Sequence, residues 1–323
     1  MERSVWINGE FVPETQAKIS IYDSALMFGD MVFEMTRSFN KKQFKLREHL
    51  ERLLASAKYV EIPIKLNVDQ LEEICLKTIE KNEPLFAAND EHRLMINITR
   101  GPLALYAEVF GGKMEPTVVV ADFPLKWTVA TMGQYYDKGI NVMIPSQRTI
   151  PAQLLEPKVK NRSRLHYLMA NIEVSKMIGE NNWALLLDPD GFIAEGTGSN
   201  FFLVKDGVLY TPEPRNILRG ISRDYTMQIA REMGITVVEK NLEPYDVMIA
   251  DEAFMTATPF CILPVTRFKN ENIGSGVMGP MTQKLLNRWS EDVGVNIVDQ
   301  IKEYGKEVSQ LKTQSASPYV FKK

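Results

Sequence analysis

Two lysines, Lys158 and Lys160, stand two residues apart at the start of the stretch "EPKVKNRSRLHYLMANIEVSKMIG" (156–179). Beyond them Leu165, Leu168, Met169 and Ile172 fall at helical spacing, with Asn161 or Ser163 as cap and Gly179 as stop. That pattern predicts a helix over 161–178. A helix N-terminus carries partial positive charge, and Arg162 and Arg164 add more, so an ammonium beside it is electrostatically disfavoured. A neutral amine is what imine formation with an aldehyde requires. Taken alone, the segment reads first as a solvated basic turn.

Four further segments carry residue types with chemical potential. In "DGFIAEGTGSNFFLV" Glu195 ends a short apolar strand and precedes a small-residue turn, where an acid can reach a cavity and glycines let a planar ligand approach. The same turn also reads as a plain hairpin. In "NILRGISRDYTMQIA" Gly220, Ile221 and Ser222 lead into a helix whose first N–H groups offer an anion site; Ser222 is equally an ordinary N-cap. In "FMTATPFCILPV" Thr256 and Thr258 supply hydroxyls for a phosphate, or simply make a turn. Arg47, at a strand-to-helix junction, sits badly with the helix dipole unless an anion is present. Arg52 looks instead like a solvated helix face.

Composition narrows the field. The chain has 323 residues, 45% hydrophobic and 24% charged, with a net charge of −3. No basic cluster is dense enough to follow a nucleic-acid backbone, and no apolar run approaches the roughly 20 residues of a membrane helix. The charged start "MERSVWINGEFVPE" does not read as a signal peptide. Cys75 and Cys261 are the two cysteines, and His49, His92 and His166 the three histidines. Disulfide frameworks, metal sites and His-based triads are therefore poor expectations, and a cytoplasmic setting fits best. The sequence shows no Walker loop, no GxGxxG after a strand, no HExxH and no GxSxG elbow.

The elements that must position these residues follow from periodicity. Hairpins are expected at Asn8-Gly9 and Asn40-Lys41, and helices at "REHLERLLASAKYV" and "VDQLEEICLKTIEKN". "HRLMINITRG" and "TVVVADFPL" read as buried strands. A second half begins at "GINVMIP", with short strands, a helix at "SRDYTMQIAREMG" and another at "PMTQKLLNRWSEDV". The expected organisation is two α+β domains with a cleft between them. The boundaries are 1–122 for a small domain, 123–132 for a linker, 133–302 for a larger domain and 303–323 for a polar tail.

Taken together, these segments resemble the class IV, fold-type IV pyridoxal-phosphate aminotransferases. The resemblance runs through "YDSALMFGDMVFEMTR" (22–37), "REHLERLLASA" (47–57), "VKNRSRLHY" (159–167), "EGTGSNFFLVKDGVLYTP" (195–212), "LRGISRD" (218–224) and "DEAFMTATPFCILPV" (251–265). It implies an α+β fold with a small α/β sandwich domain and a larger pseudo-barrel domain. It also implies a homodimer or higher homo-oligomer and pyridoxal 5'-phosphate as cofactor. Lys160, rather than Lys158, would bond to the cofactor and move the proton, with Glu195 on the pyridine nitrogen and Tyr167 near the ring hydroxyl. Arg47, Ile221, Ser222 and Thr258 would hold the phosphate. Phe33, Arg37 and Arg100 would line the substrate site, the arginines facing an α-carboxylate.

The implied reaction moves an amino group between an amino acid and a 2-oxo acid such as 2-oxoglutarate. "LRGISRD" leans toward the branched-chain enzymes, although Met35 replaces the glycine of their usual "VFEGIR". D-Amino acid enzymes share the pattern from Phe28 to Glu34, but their Arg-x-His trap is missing after "ITRG". The aminodeoxychorismate lyases usually carry a cysteine where Gly196 stands. A branched-chain L-amino acid aminotransferase is the favoured reading, with those two relatives as alternatives and a non-catalytic ligand-binding paralogue last.

Overall fold

The computed structural model describes residues 2–309, which divide into two compact units. The first contains the residues up to Leu125 together with Val159–Arg164; the second contains Lys126–Lys158 and the described residues from Leu165 onward.

In the first unit, strands β1 (Ser4–Ile7) and β2 (Glu10–Pro13) form a hairpin through Asn8 and Gly9, both at positive φ, as the Asn-Gly pair predicts. Strands β3 (Met31–Met35), β4 (His92–Thr99) and β5 (Thr117–Pro124) complete an antiparallel sheet in the order β2-β1-β5-β4-β3. Side chains alternate across a strand. Leu94, Ile96 and Ile98 accordingly join Val118 and Val120 in a core with Leu50 and Leu53 of helix α1 (Leu46–Tyr59) and Leu71 and Cys75 of helix α2 (Val68–Asn82). Arg93, Met95 and Asn97, the alternate residues of β4, belong to the sheet's other face. An Asn67–Gln70 capping box starts α2. The turn at Asn40 and Lys41 also forms, between the short strands Ser38–Phe39 and Lys42–Gln43.

Strand β3 lies at the sheet edge, and residues 160–162 pair along it. The Phe33 N–H donates to the Lys160 carbonyl and the Arg162 N–H to the Met31 carbonyl, each at 2.9 Å. This corrects the expected helix over 161–178. With its backbone groups bonded to β3 and the Asn161 side chain accepting the Ser163 N–H, the segment is extended. Helix α3 occupies Leu165–Ser175.

The second unit is built on a nine-stranded sheet. Its principal strands are β6 (Ile140–Met143), β7 (Asn182–Leu187), β8 (Ile193–Gly196), β9 (Asn200–Lys205), β10 (Val208–Pro212), β11 (Val237–Lys240), β12 (Glu252–Ala257) and β13 (Cys261–Phe268). They run in the order β8-β7-β6-β13-β12-β9-β10-β11, and β8 also pairs with β9. That extra pairing closes six of the strands into a ring, the barrel-like body. Helix α4 (Ile221–Glu232) packs on β12, and helix α5 (Pro280–Val293) packs on α4, β12 and β13.

Two expected irregular segments are regular. Across 123–132 the chain continues β5 through Pro124, then forms a short helix, Lys126–Val129, with Val129, Ala130 and Met132 buried. The tail expected from 303 begins inside a helix, α6 (Ile297–Ser309), whose residues Ile297, Ile301 and Tyr304 make a buried stripe at helical spacing. Residues 310–323 lie outside the described residues.

Candidate functional site

Lys160 is fixed by its neighbours in the chain. Val159 is buried in the core beneath α1, the Lys160 N–H donates to the Ser56 hydroxyl at 3.2 Å, and the Lys160 carbonyl is held by Phe33. The ammonium lies 5.0 Å from the centre of the Phe33 ring. Arg162 stacks on the same ring at 3.6 Å and donates to the Asn97 side chain at 3.0 Å, while the Arg164 guanidinium is 5.7 Å from the ring centre. The two arginines after the lysine thus flank the ring that faces the lysine. Lys158 belongs to the second unit, where its ammonium is bound to the Glu156 carboxylate and the Arg215 carbonyl. Those contacts occupy its amine within the second unit.

The strip containing Phe33 and Asn97 continues to an arginine that the sequence reading passed over. Arg93 is buried, and its Nε and Nη1 have no hydrogen-bond partner; Nη2 reaches only the Met35 sulfur, at 3.7 Å. Burial, together with the guanidinium groups of Arg37 and Arg162, brings its pKa down to about 9. A buried cation with unused donors is a seat for an anion. The signal was the two-residue period of a strand over "HRLMINIT", which sets Arg93, Met95 and Asn97 on the face opposite the Leu94, Ile96 and Ile98 core. Arg37 is buried, with its guanidinium 3.8 Å from the Phe39 ring centre and Nε donating to the Ser38 carbonyl. Arg100 is a clamp, bonded through Nε to Asp30 at 2.6 Å and to the carbonyls of Glu61 and Val60 at 2.7 Å each. That guanidinium is engaged by the fold, so the structure does not offer it as a carboxylate partner.

The arginines of α1 exchange the places expected of them. Arg47 is on the solvent side, ion-paired with Asp69, Glu72 and Glu51; the anion its helix-starting position called for is the protein's own. Arg52 turns inward, one turn from Ser56, and grips the buried Glu34 at 2.6 and 2.8 Å. His49 bonds the same carboxylate at 2.7 Å. Burial alone would raise the Glu34 pKa, but Arg52 and His49 hold it well below the usual carboxylate range. The apolar stripe of Leu46, Leu50 and Leu53 does not by itself select Arg52; Arg52 stands three residues after His49 and four before Ser56, polar residues that the structure buries beside that stripe.

In the second unit, Glu195 is buried at the end of β8 and held by three donors. Tyr167 donates to Oε1 at 3.0 Å, and the Asn200 amide and the Leu218 N–H donate to Oε2 at 3.1 Å each. Tyr167 comes from α3 and Asn200 pairs directly with Glu195 in the sheet. Asn200, at the end of the "GTGSN" turn, was missed as an individual residue although its turn was singled out. It also binds the Leu218 carbonyl at 2.9 Å. A Cβ placed on Gly220 would meet the Asn200 Oδ1 at 2.0 Å, so glycine is required there. Gly220 caps α4 without any side-chain hydrogen bond, leaving the first turn at Ile221 and Ser222 open; Ser222 is inside the helix and is not its cap. Thr258 lies in the three-residue turn that joins β12 to β13, and Tyr136 donates to the Phe260 carbonyl of that turn at 2.8 Å.

The Amino-transferase class IV family model matches residues 31–268. A putative branched-chain-amino-acid aminotransferase of Methanocaldococcus jannaschii is 35% identical over 289 residues, covering 89% of this chain and 95% of the relative. The branched-chain-amino-acid aminotransferase of Salmonella typhimurium is 33% identical over 295 residues, covering 87% and 90%. Among solved structures, a T.th. branched-chain amino acid aminotransferase with pyridoxamine 5'-phosphate superimposes with a TM-score of 0.81 at 30% identity, covering 95% of this chain and 97% of that one. The chain belongs to the class IV aminotransferase family. It is a pyridoxal-phosphate-dependent transaminase with a two-domain α+β fold.

Proposed function

We propose that this enzyme moves an amino group between a branched-chain L-amino acid and a 2-oxo acid such as 2-oxoglutarate. The observation that carries the reading is the fixed Lys160 ammonium over Phe33, on the strip of sheet that ends at the unpaired donors of Arg93. The names of the relatives supply the branched-chain preference. The residues fit pyridoxal phosphate: a primary amine at Lys160, a carboxylate acceptor at Glu195 and an uncapped helix N-terminus at Ile221 and Ser222. Bound there, the cofactor supplies an electron sink for the α-carbon of the amino acid.

The chain's own groups do the rest. Lys160 Nζ takes the α-proton as general base and returns it. Glu195, oriented by Tyr167, Asn200 and Leu218, would accept from the pyridine nitrogen and keep it protonated. The open first turn of α4 and the Thr258 turn would hold the phosphate, with Arg52 in place of Arg47 as the helix arginine that could assist. Arg93 donates to a substrate carboxylate, assisted by the positive field of Arg37. We further infer a cytoplasmic homodimer. Both cysteines are buried thiols, and Leu26, Phe28, Leu105 and Val109 are exposed on the first unit, where Tyr22 packs on Tyr106 and Phe110. No helix among the described residues is long and apolar enough to cross a membrane.

The test is a panel of L- and D-amino acids with 2-oxoglutarate and with pyruvate, recording product chirality. Equimolar glutamate from L-leucine, L-isoleucine and L-valine is the expected result. Pyruvate released from aminodeoxychorismate without amino exchange, or D-glutamate as product, overturns it.

A further inference from the structure

Several threonine hydroxyls of the second unit close on the fold itself, whereas those of the buried Thr149 and Thr256 have no hydrogen-bond partner. Thr211 donates to the Phe201 carbonyl, Thr226 to that of Ser222 and Thr266 to that of Lys138. Thr256 does not. It is 1% exposed, at the penultimate position of β12, and its hydroxyl has no hydrogen-bond partner. A buried hydroxyl left in this way is disfavoured, because it loses its water and gains nothing in exchange.

Its position in the sheet says what lies on the same face. Thr256 is directly opposite Asn200 on β9, and Asn200 is directly opposite Glu195 on β8. Residues directly opposite one another in an antiparallel pair project to one face. The orphan hydroxyl therefore shares a face with the Glu195 carboxylate and with the Asn200 amide, which itself touches the backbone at Leu218 and abuts Gly220, the open cap of α4. A face with a fixed carboxylate, an uncapped helix end and an unused hydroxyl is built for a ligand that has both a ring nitrogen to donate and anionic oxygens to accept.

We propose that the Thr256 hydroxyl is a further cofactor-holding group, donating a hydrogen bond to an anionic oxygen of bound pyridoxal phosphate. The proposal rests on the cofactor placement given above and adds to it a residue whose hydroxyl the fold itself does not use. Thr256→Val keeps the shape and removes the donor; Thr256→Ser keeps the donor.

The full-length apoproteins are titrated with pyridoxal phosphate by visible absorbance, and their melting temperatures are recorded with and without cofactor. The Thr256→Val protein is expected to bind the cofactor about tenfold more weakly. Its apo melting temperature should equal or exceed that of the wild type, since an unpaired hydroxyl has been replaced by a methyl. Thr256→Ser should bind within about twofold of wild type. Unchanged affinity in Thr256→Val, or weak binding in both variants, overturns the proposal. So does an apo melting temperature that falls as far as the holo one, because the hydroxyl then serves the fold. A wild-type band that disappears in Lys160→Ala, alongside normal binding by Thr256→Val, overturns this inference alone. A wild type that develops no band overturns the cofactor placement with it.

Discussion

The backbone carbonyl of Lys160 accepts the N–H of Phe33 at 2.9 Å, and the ammonium of the same lysine lies over the ring of the same phenylalanine. One residue of the sheet edge thus fixes both ends of the lysine. A side chain that must take and return a proton at a defined carbon benefits from such support, since a small displacement of a reacting group is costly in rate.

Removal of the amine separates the two lysines. Lys160→Ala is expected to lose the visible absorbance with pyridoxal phosphate and to reduce transamination by at least about 10²-fold. Lys158→Ala, which disrupts only the contacts with Glu156 and Arg215, should keep the band. Absorbance spectra of the two variants decide the assignment.

Arg93 and Arg100 should respond in opposite ways. Replacing the unpaired Arg93 by Met is expected to raise the KM for the 2-oxo acid about tenfold with the melting temperature unchanged or higher. Arg100→Ala breaks the link to Asp30 and to two carbonyls, so it should lower stability by about 1–3 kcal/mol and leave KM alone. Steady-state kinetics paired with denaturant unfolding checks both.

The helix arginines give a similar contrast. Arg47→Ala, on the solvent face, should change stability by no more than about 0.5 kcal/mol. Arg52→Ala leaves the Glu34 carboxylate buried beside the His49 ring, whose burial disfavours its charged form, and a loss of about 3–5 kcal/mol is expected. Urea unfolding of the two variants is the measurement.

His92 makes the first unit sensitive to pH. Its ring is buried between Asp122, at 2.8 Å from Nδ1, and Glu83 at Nε2, and stacks on Phe86. Lys41 pairs with Glu83 from the outer side. Burial opposes the charged ring, but the two carboxylates outweigh it and raise the imidazole above its usual value of 6.5. A raised folded pKa means that the stabilisation is complete below the unfolded pKa and is lost as pH rises through the folded one. Thermal melts should therefore fall by a few degrees as pH rises above about 6.5, and His92→Gln should flatten that slope. A wild-type melt that rises over this range would refute the assignment.

Much of the fold was legible because periodicity reports burial. The short apolar run in "HRLMINIT", the stripe in "VDQLEEICLKTIEKN" and the Asn8-Gly9 turn led directly to the elements that formed. The segment at 159–164 was not legible in this way. Its periodic apolar residues begin at Leu165, and nothing local reveals that Lys160 and Arg162 pair with a strand more than a hundred residues earlier in the chain. Arg47 and Arg52 were exchanged because the dipole argument considers one helix end in isolation, whereas Asp69 and Glu72 reach Arg47 from a different helix. Glu195, Ile221 and Ser222 occupy the local settings their sequences predicted: a strand end and a helix start. The partners of Glu195, by contrast, depend on the pairing of β8 with β9 and on the entry of Tyr167 from α3, which are tertiary facts.

The excursion of Val159–Arg164 into the first unit also bears on how the molecule is made. The edge of β3 is covered by residues that leave the ribosome only after the whole first sheet and its helices have been synthesised. Until then the backbone groups of Met31 and Phe33 on that edge are unpaired, and an open strand edge invites pairing with other chains. A fragment ending at Leu125 would keep that edge bare permanently and would lack Val159 from its core. The first unit is therefore completed by residues delivered late in translation, and the lysine on which the chemistry depends arrives with the segment that covers the sheet's edge.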